Sequence, residues 1–200
     1  MDNKLEELLS KLKKVEQELV DELQKQQDIF AYEIRKKKVY FDKEAIDQQR
    51  EQLVNLWRYL AGAPFKHLLS VPIIWACLIP TLLFDLFISL YHATCFPLYG
   101  IQKVKREDYI VFDRHYLEYL NFFEKLNCAY CSYFNGLVAY VQEIAARTER
   151  YWCPIKHARR VATIHNHYQN FFDYGDAESY RRELSMLRKR QREFSGNDEL

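Results

Sequence analysis

Two hundred residues with 29 basic and 28 acidic side chains, a formal charge of +1 and a mean hydropathy of −0.41 allow one ordinary domain or two small ones. Residues 1–66 carry 13 basic and 13 acidic side chains, residues 67–102 carry only Asp85, and residues 103–200 carry 16 basic and 14 acidic. No part has the basic excess of a nucleic-acid binder, so nucleic acid is not an expected partner.

The start, MDNKLEELLSKLKK, lacks the early apolar core of a signal peptide, and the five cysteines are an odd number. Both point to reduced thiols rather than a disulfide framework. The final NDEL is one residue away from a retention tetrapeptide and reads as a polar tail.

Residues 1–66 read as a helical arm. Leu5, Leu8, Leu12, Val15 and Leu19 repeat with 3,4 spacing between Lys and Glu, which makes two heptads of a coiled-coil seam. Glu22 takes the next seam position, and Leu23, Phe30 and Ile34 follow at wider intervals, a slip that loosens a supercoil without ending a helix. With no Gly or Pro before Gly62, helix is expected from about Asn3 to about Leu60, with a break near residues 39–42. The arm is expected to make the protein a homo-oligomer, or else to pack on its own chain.

Residues 67–102 form the apolar segment. The run from 68 to 101 is far longer than the ~20 apolar residues that a bilayer requires, and Pro72, Pro80, Pro97 and one carboxylate interrupt it. Membrane insertion is expected, as a kinked helix or as a hairpin. Arg58 and Lys66 precede the run, and Lys103, Lys105 and Arg106 follow it. Basic residues on both flanks favour the hairpin, with both ends in the cytoplasm.

Asp85 is the intramembrane polar residue that needs a partner. On a helix Asp85, Ser89 and His92 share one stripe, i, i+4 and i+7. The stripe suits a proton-handling or metal site; alternatively Asp85 marks the bend of a hairpin. Cys77 and Cys95 read as apolar fillers.

Residues 103–200 read as an aromatic-rich helical domain with cysteine and histidine. After Asp113, an expected N-cap, apolar residues from Leu117 to Ile144 recur every three or four positions, and Pro154 ends the helix by Cys153. Gly136 within it signals close packing or a break. Asp176 is the expected N-cap of a last helix, with Glu178 in its first turn.

Cys128 and Cys131 at i and i+3, followed by Cys153 and His157 with C-x3-H spacing, form a complete Cys3His donor set. Zinc is the expected metal, and an iron–sulfur cluster is the alternative. A thiol redox pair, or cysteines buried as small fillers on an aromatic helix face, are the competing readings. Lys156, Arg159 and Arg160 could meet phosphate or anionic headgroups, or form a solvated turn. No Glu-x-x-His pair, Gly-rich phosphate loop or G-x-S-x-G is present.

The run YCSYFNGLVAYVQEIAARTERYWCPIKHARR, with IVFDRHYLEYLNFFEKLN before it and FFDYGDAESYRREL after it, resembles a family of uncharacterised bacterial membrane-associated proteins over roughly residues 72–184. The resemblance implies a bacterial inner-membrane setting and carries no activity.

The expected architecture is therefore all-α: a long N-terminal helical arm, an apolar membrane hairpin or kinked helix, and a small C-terminal helical domain facing the cytoplasm. The expected function is a membrane-anchored assembly or interaction protein with a structural metal. The alternative is a membrane-associated redox or metal-handling enzyme that uses the Cys/His site, with Asp85 and His92 along its path.

Overall fold

The computed structural model describes residues 2–62 and 64–196. Residues 197–200, which hold the terminal NDEL, lie outside the described residues, as do the side chains of Leu5, Leu8 and Leu12. The fold is mainly helical with one two-stranded sheet. Contacts divide the chain into two units, which are not the three parts of the sequence.

The first unit holds Met1–Gly62 together with Asp113–Cys128. Helix α1, Asp2–Ile29, runs as the Gly- and Pro-free sequence requires, and the chain leaves it through Ala31 at φ +50°. The expected helix does not continue. Residues Tyr32–Arg35 (β1) and Lys38–Phe41 (β2) pair antiparallel as a hairpin, with Tyr32 opposite Phe41 and Ile34 opposite Val39. The physical reason is the alternation Tyr32, Ile34, Val39, Phe41 of β-branched and aromatic side chains, which gives a strand pair one apolar face and a helix none.

Lys36 and Lys37 form the two-residue turn at φ +50° and +64°. Those angles match a type I′ turn, which normally selects Asn-Gly, and this is why the hairpin is hard to read from sequence. Helices α2 (Lys43–Glu51) and α3 (Leu56–Gly62) follow. Gln49 Oε1 accepts the Glu118 N–H at 2.9 Å, which ties residues after Asp113 to α2.

The second unit holds Ala63–Phe112 and Ala129–Leu200. Helices α4 (Phe65–Ala76) and α5 (Leu78–Tyr99) are one apolar run with a kink between them. Pro80 has no N–H to give the Ala76 carbonyl, so the ladder breaks there. Cys77 stays in right-handed helical geometry, and its N–H bonds to the carbonyls of Ile73 and Ile74. Of the two expected topologies, the chain therefore adopts the single kinked helix and not the helical hairpin. Phe65–Tyr99 is long and apolar enough to cross a membrane, and none of its most apolar 18-residue window is buried.

Gly100, at φ +66°, ends α5 in a left-handed cap, with Ile101 N–H bonded to the Phe96 carbonyl at 2.8 Å. The turn sends residues 101–112 into an irregular connector whose Ile101, Val104 and Ile110 are buried. They join Phe96 from α5 and Leu137, Tyr140, Ile144 and Tyr151 from α6 (Phe122–Trp152) in the core of the unit.

Helix α6 begins later than Asp113 suggested. Asp113 opens a single 3-10 turn, Arg114–Tyr116. The cap is Asn121: its Oδ1 accepts the Glu124 N–H at 3.1 Å, while Glu124 Oε2 accepts the Asn121 N–H at 2.9 Å. This reciprocal pair is a capping box. The helix stops at Trp152, ahead of Pro154, as expected. Asp176 caps α7 (Ala177–Gly196) by accepting the Ser179 N–H at 3.0 Å.

Gly136 marks close packing and not a break. A Cβ there would lie 2.6 Å from the Tyr109 carbonyl oxygen and 2.9 Å from the Ile110 Cα, both backbone atoms of the connector. Gly136→Ala should destabilise the unit by about 1–3 kcal/mol through overpacking. Thermal unfolding checks this: an unchanged melting temperature would mean that the connector yields freely.

Candidate functional site

Asp85 is at the centre of a polar cluster on the apolar helix. Arg106 of the connector donates Nη1 to Oδ1 and Nη2 to Oδ2, each at 2.5 Å, as a two-pronged pair. Tyr133 of α6 donates its hydroxyl to Oδ2 at 2.7 Å, and Ser89 donates to Oδ1 at 3.1 Å. Burial, and then the bond to Asp85, push the Tyr133 phenol up to about 12, so it stays a donor throughout the physiological range. The Arg106 guanidinium also faces the Tyr140 ring at 5.6 Å.

The expected stripe of Asp85, Ser89 and His92 is therefore only partly one site. Ser89 joins Asp85, whereas His92 turns to the connector. Its Nε2 accepts the Val104 N–H at 2.9 Å, and its Nδ1 meets the Tyr140 hydroxyl at 3.2 Å. A ring nitrogen that accepts from a backbone N–H carries no proton, so the imidazole is neutral with its hydrogen on Nδ1. Asp85 sits within α5 and not at a hairpin bend. Its oxygens accept bonds from Arg106, Tyr133 and Ser89, an arrangement that fixes a connector onto a helix.

The four expected metal ligands are not brought together. Cys128 and Cys131 share a face near the start of α6. Cys153 lies just past its end, and His157 stacks on Tyr168 with ring centroids 6.2 Å apart. Helical rise alone separates Cys131 from the end of α6 by roughly 30 Å. Zinc thiolates sit about 2.3 Å from their metal, so these residues do not fit one zinc ion or one cluster within a chain. Among the described residues, no three His, Cys, Asp or Glu side chains are placed to hold a metal ion. The continuous helix through Gly136 is the physical cause. The cysteines are not wholly buried fillers either: Cys131 and Cys153 are exposed.

Two histidines outside that set do have partners. His167 Nε2 meets Glu143 Oε1 at 3.2 Å, and His165 Nε2 meets Glu149 Oε2 at 3.0 Å. Arg147 adds a bond to Glu143 at 2.7 Å and another to the Gln102 carbonyl at 2.9 Å. Together with the backbone bonds between Pro154 and Phe172 and between Lys156 and Phe172, these contacts hold the segment after α6 against the helix. The spacing Glu143, Arg147 on one helical face was visible in the sequence; that His165 and His167 would pair with α6 was not. Lys156 is engaged by Asp173 at 2.7 Å, while Arg159 and Arg160 are exposed.

Comparison finds no family model, no curated protein and no solved structure that matches the chain.

Two tests follow from this geometry. Arg106→Ala strands a half-buried carboxylate and should lower stability by roughly 3 kcal/mol, whereas Asp85→Asn combined with Arg106→Ala should cost clearly less than the sum of the two single changes. Additive effects in a thermal-unfolding cycle would mean that the pair is not coupled. Burial tends to raise the Glu143 carboxyl, but bonds from Arg147 and His167 outweigh it and hold the group below its ordinary 4.5. A depressed carboxylate contributes stability that is present above its unfolded pKa and is lost as pH falls through the folded one. Stability should therefore drop below about pH 4.5, and Glu143→Gln should flatten that part of the pH profile.

Proposed function

We propose that this chain is a membrane-anchored assembly or interaction protein of the bacterial inner membrane, held by α4 and α5 and self-associating through α1. The observation that carries the reading is the uncovered apolar helix. Residues 65–84 rise about 30 Å, the thickness of a bilayer core, and are exposed nearly all round. A face that docks one protein partner occupies a single side of a helix; apolar exposure on every side fits lipid.

Lipid contact does not extend around the whole of α5. Lys103, Lys105, Glu107 and Asp108 are exposed on the connector, whose buried residues line the inner side of α5, and such charges are costly in hydrocarbon. Lipid therefore meets α4 and the outer stripe of α5, where Ile79, Leu83, Phe87 and Leu90 are uncovered.

Self-association rests on α1. Its described seam residues Val15 and Leu19 are 61% and 58% exposed, so its own chain leaves that face uncovered. A second copy supplies the partner that the heptad pattern asks for. A Cys/His metal centre forms no part of this reading, because one chain does not assemble the donor set.

Cell fractionation with an alkaline wash tests the anchor. The full chain should stay with the membrane pellet. Ile73→Asp with Ile79→Asp, at positions 71% and 67% exposed, should move it to the soluble fraction without unfolding it. A wild-type chain released by the wash overturns the anchor. For the arm, Val15→Glu with Leu19→Glu should reduce the particle mass in detergent to that of one chain; an unchanged oligomer places the contact elsewhere.

A further inference from the structure

The β1–β2 hairpin has an apolar face that its own unit covers only in part. Register sets Tyr32 opposite Phe41 and Ile34 opposite Val39, and the rings of Tyr32 and Phe41 meet with centroids 5.7 Å apart. A two-stranded sheet is marginal in water and needs such a face packed. Phe30, just after α1, and Leu117 and Tyr119, after Asp113, line one cavity with that face, about 470 Å³ in volume. The Glu118 N–H, bonded to Gln49 Oε1 at 2.9 Å, holds the segment after Asp113 in place as its wall. Among the described residues of this unit only Asn121 is buried, so the apolar side chains do not close on one another. Clefts that take small molecules run from about 300 to 1,000 Å³ and are mostly apolar, with a few polar groups that fix orientation.

Three polar side chains share the lining: Gln49, Asp113 and Arg114. Gln49 has its oxygen engaged, which leaves its amide nitrogen to donate. Asp113 and Arg114 are exposed neighbours of opposite charge, yet no hydrogen bond or ion pair among the described residues engages either side chain, not even between the two. An aromatic hollow with one anion, one cation and one amide donor at its rim is the complement of a molecule with an aromatic body and both charges on a single carbon.

We propose that this cavity binds a free α-amino acid with an aromatic side chain. Asp113 takes the α-ammonium, Arg114 and Gln49 take the α-carboxylate, and the ring lies against Tyr32, Phe41 and Tyr119. The site belongs to the first unit alone and does not depend on the membrane anchor. A peptide end carries only one of the two charges, and a simple aromatic acid or amine leaves Asp113 or Arg114 without a partner. The bound ring completes the apolar contacts that the hairpin lacks, so binding and folding of this unit support each other.

Calorimetric titration of the full chain in nanodiscs, where no detergent competes for the cavity, tests this with L-phenylalanine, phenethylamine and phenylpropionate. L-Phenylalanine should bind saturably and roughly tenfold or more tighter than either analogue, because each analogue lacks one charge-assisted bond. Arg114→Gln and Asp113→Asn change exposed side chains and should leave the melting temperature unaltered. Arg114→Gln should erase the preference over phenethylamine, and Asp113→Asn the preference over phenylpropionate, a crossed pattern that loss of folding cannot mimic. No binding of L-phenylalanine at millimolar concentration overturns the proposal. Binding that both variants leave unaltered also overturns it, as an adventitious apolar contact. Equal binding of phenylpropionate and L-phenylalanine to the wild type overturns it in favour of an aromatic acid.

Discussion

A carboxylate within an apolar helix has to meet a cation or stay unpaired, and Asp85 meets Arg106. Much of the second unit depends on that pair. Gly100 turns the chain at the end of α5, but a turn alone does not decide where the chain goes next. The pair holds the connector against the helix at Asp85, and the His92–Val104 bond holds it nearer the turn. Between and beyond these points Ile101, Val104 and Ile110 fill the space beside Phe96 and α6. The ion pair supplies position, and apolar burial supplies most of the stabilising free energy.

Close packing then sets the remaining requirement. The connector backbone passes so near α6 that Gly136 has no room for a side chain. Helix α6 therefore contributes a polar contact at Tyr133 and Tyr140 and a bare backbone at Gly136, within little more than two turns. The same helix receives the segment after Pro154 through Glu143 and Glu149. One long, straight element organises the unit, and that straightness keeps Cys131 away from Cys153. A continuous α6 sets Cys131 and Cys153 far apart within one chain.

After these contacts form, apolar surface stays uncovered on most of α4 outside the Trp75–Tyr130 contact, on the outer stripe of α5 and on the described seam of α1. Large apolar patches are rare on isolated soluble proteins and ordinarily mark a partner or a membrane. The apolar helix and the arm ask for different ones. All-round exposure suits lipid, and a narrow heptad seam suits another helix.

Local chemistry made many elements legible in advance. The period of α6, its stop before Pro154, the cap at Asp176 and the length of the apolar run all follow from neighbours within a few residues, whereas Gly136 left close packing and a break equally open. Asn121 was legible too, from Asn-x-x-Glu ahead of an apolar run, but Asp113 competed for the same role. The hairpin was obscured because Lys-Lys occupies a turn that usually announces itself with Gly. Pairings between residues far apart in sequence were decided only by the tertiary structure: Asp85 with Arg106, His92 with the Val104 amide, His165 and His167 with α6. A stripe of residue types on one helix states which partners would be acceptable. Which of them arrives depends on the path of a connector, and that path is fixed by packing and not by spacing. The cysteines make the same point, since four suitable ligands in a plausible order are only a composition until the fold sets the distances between them.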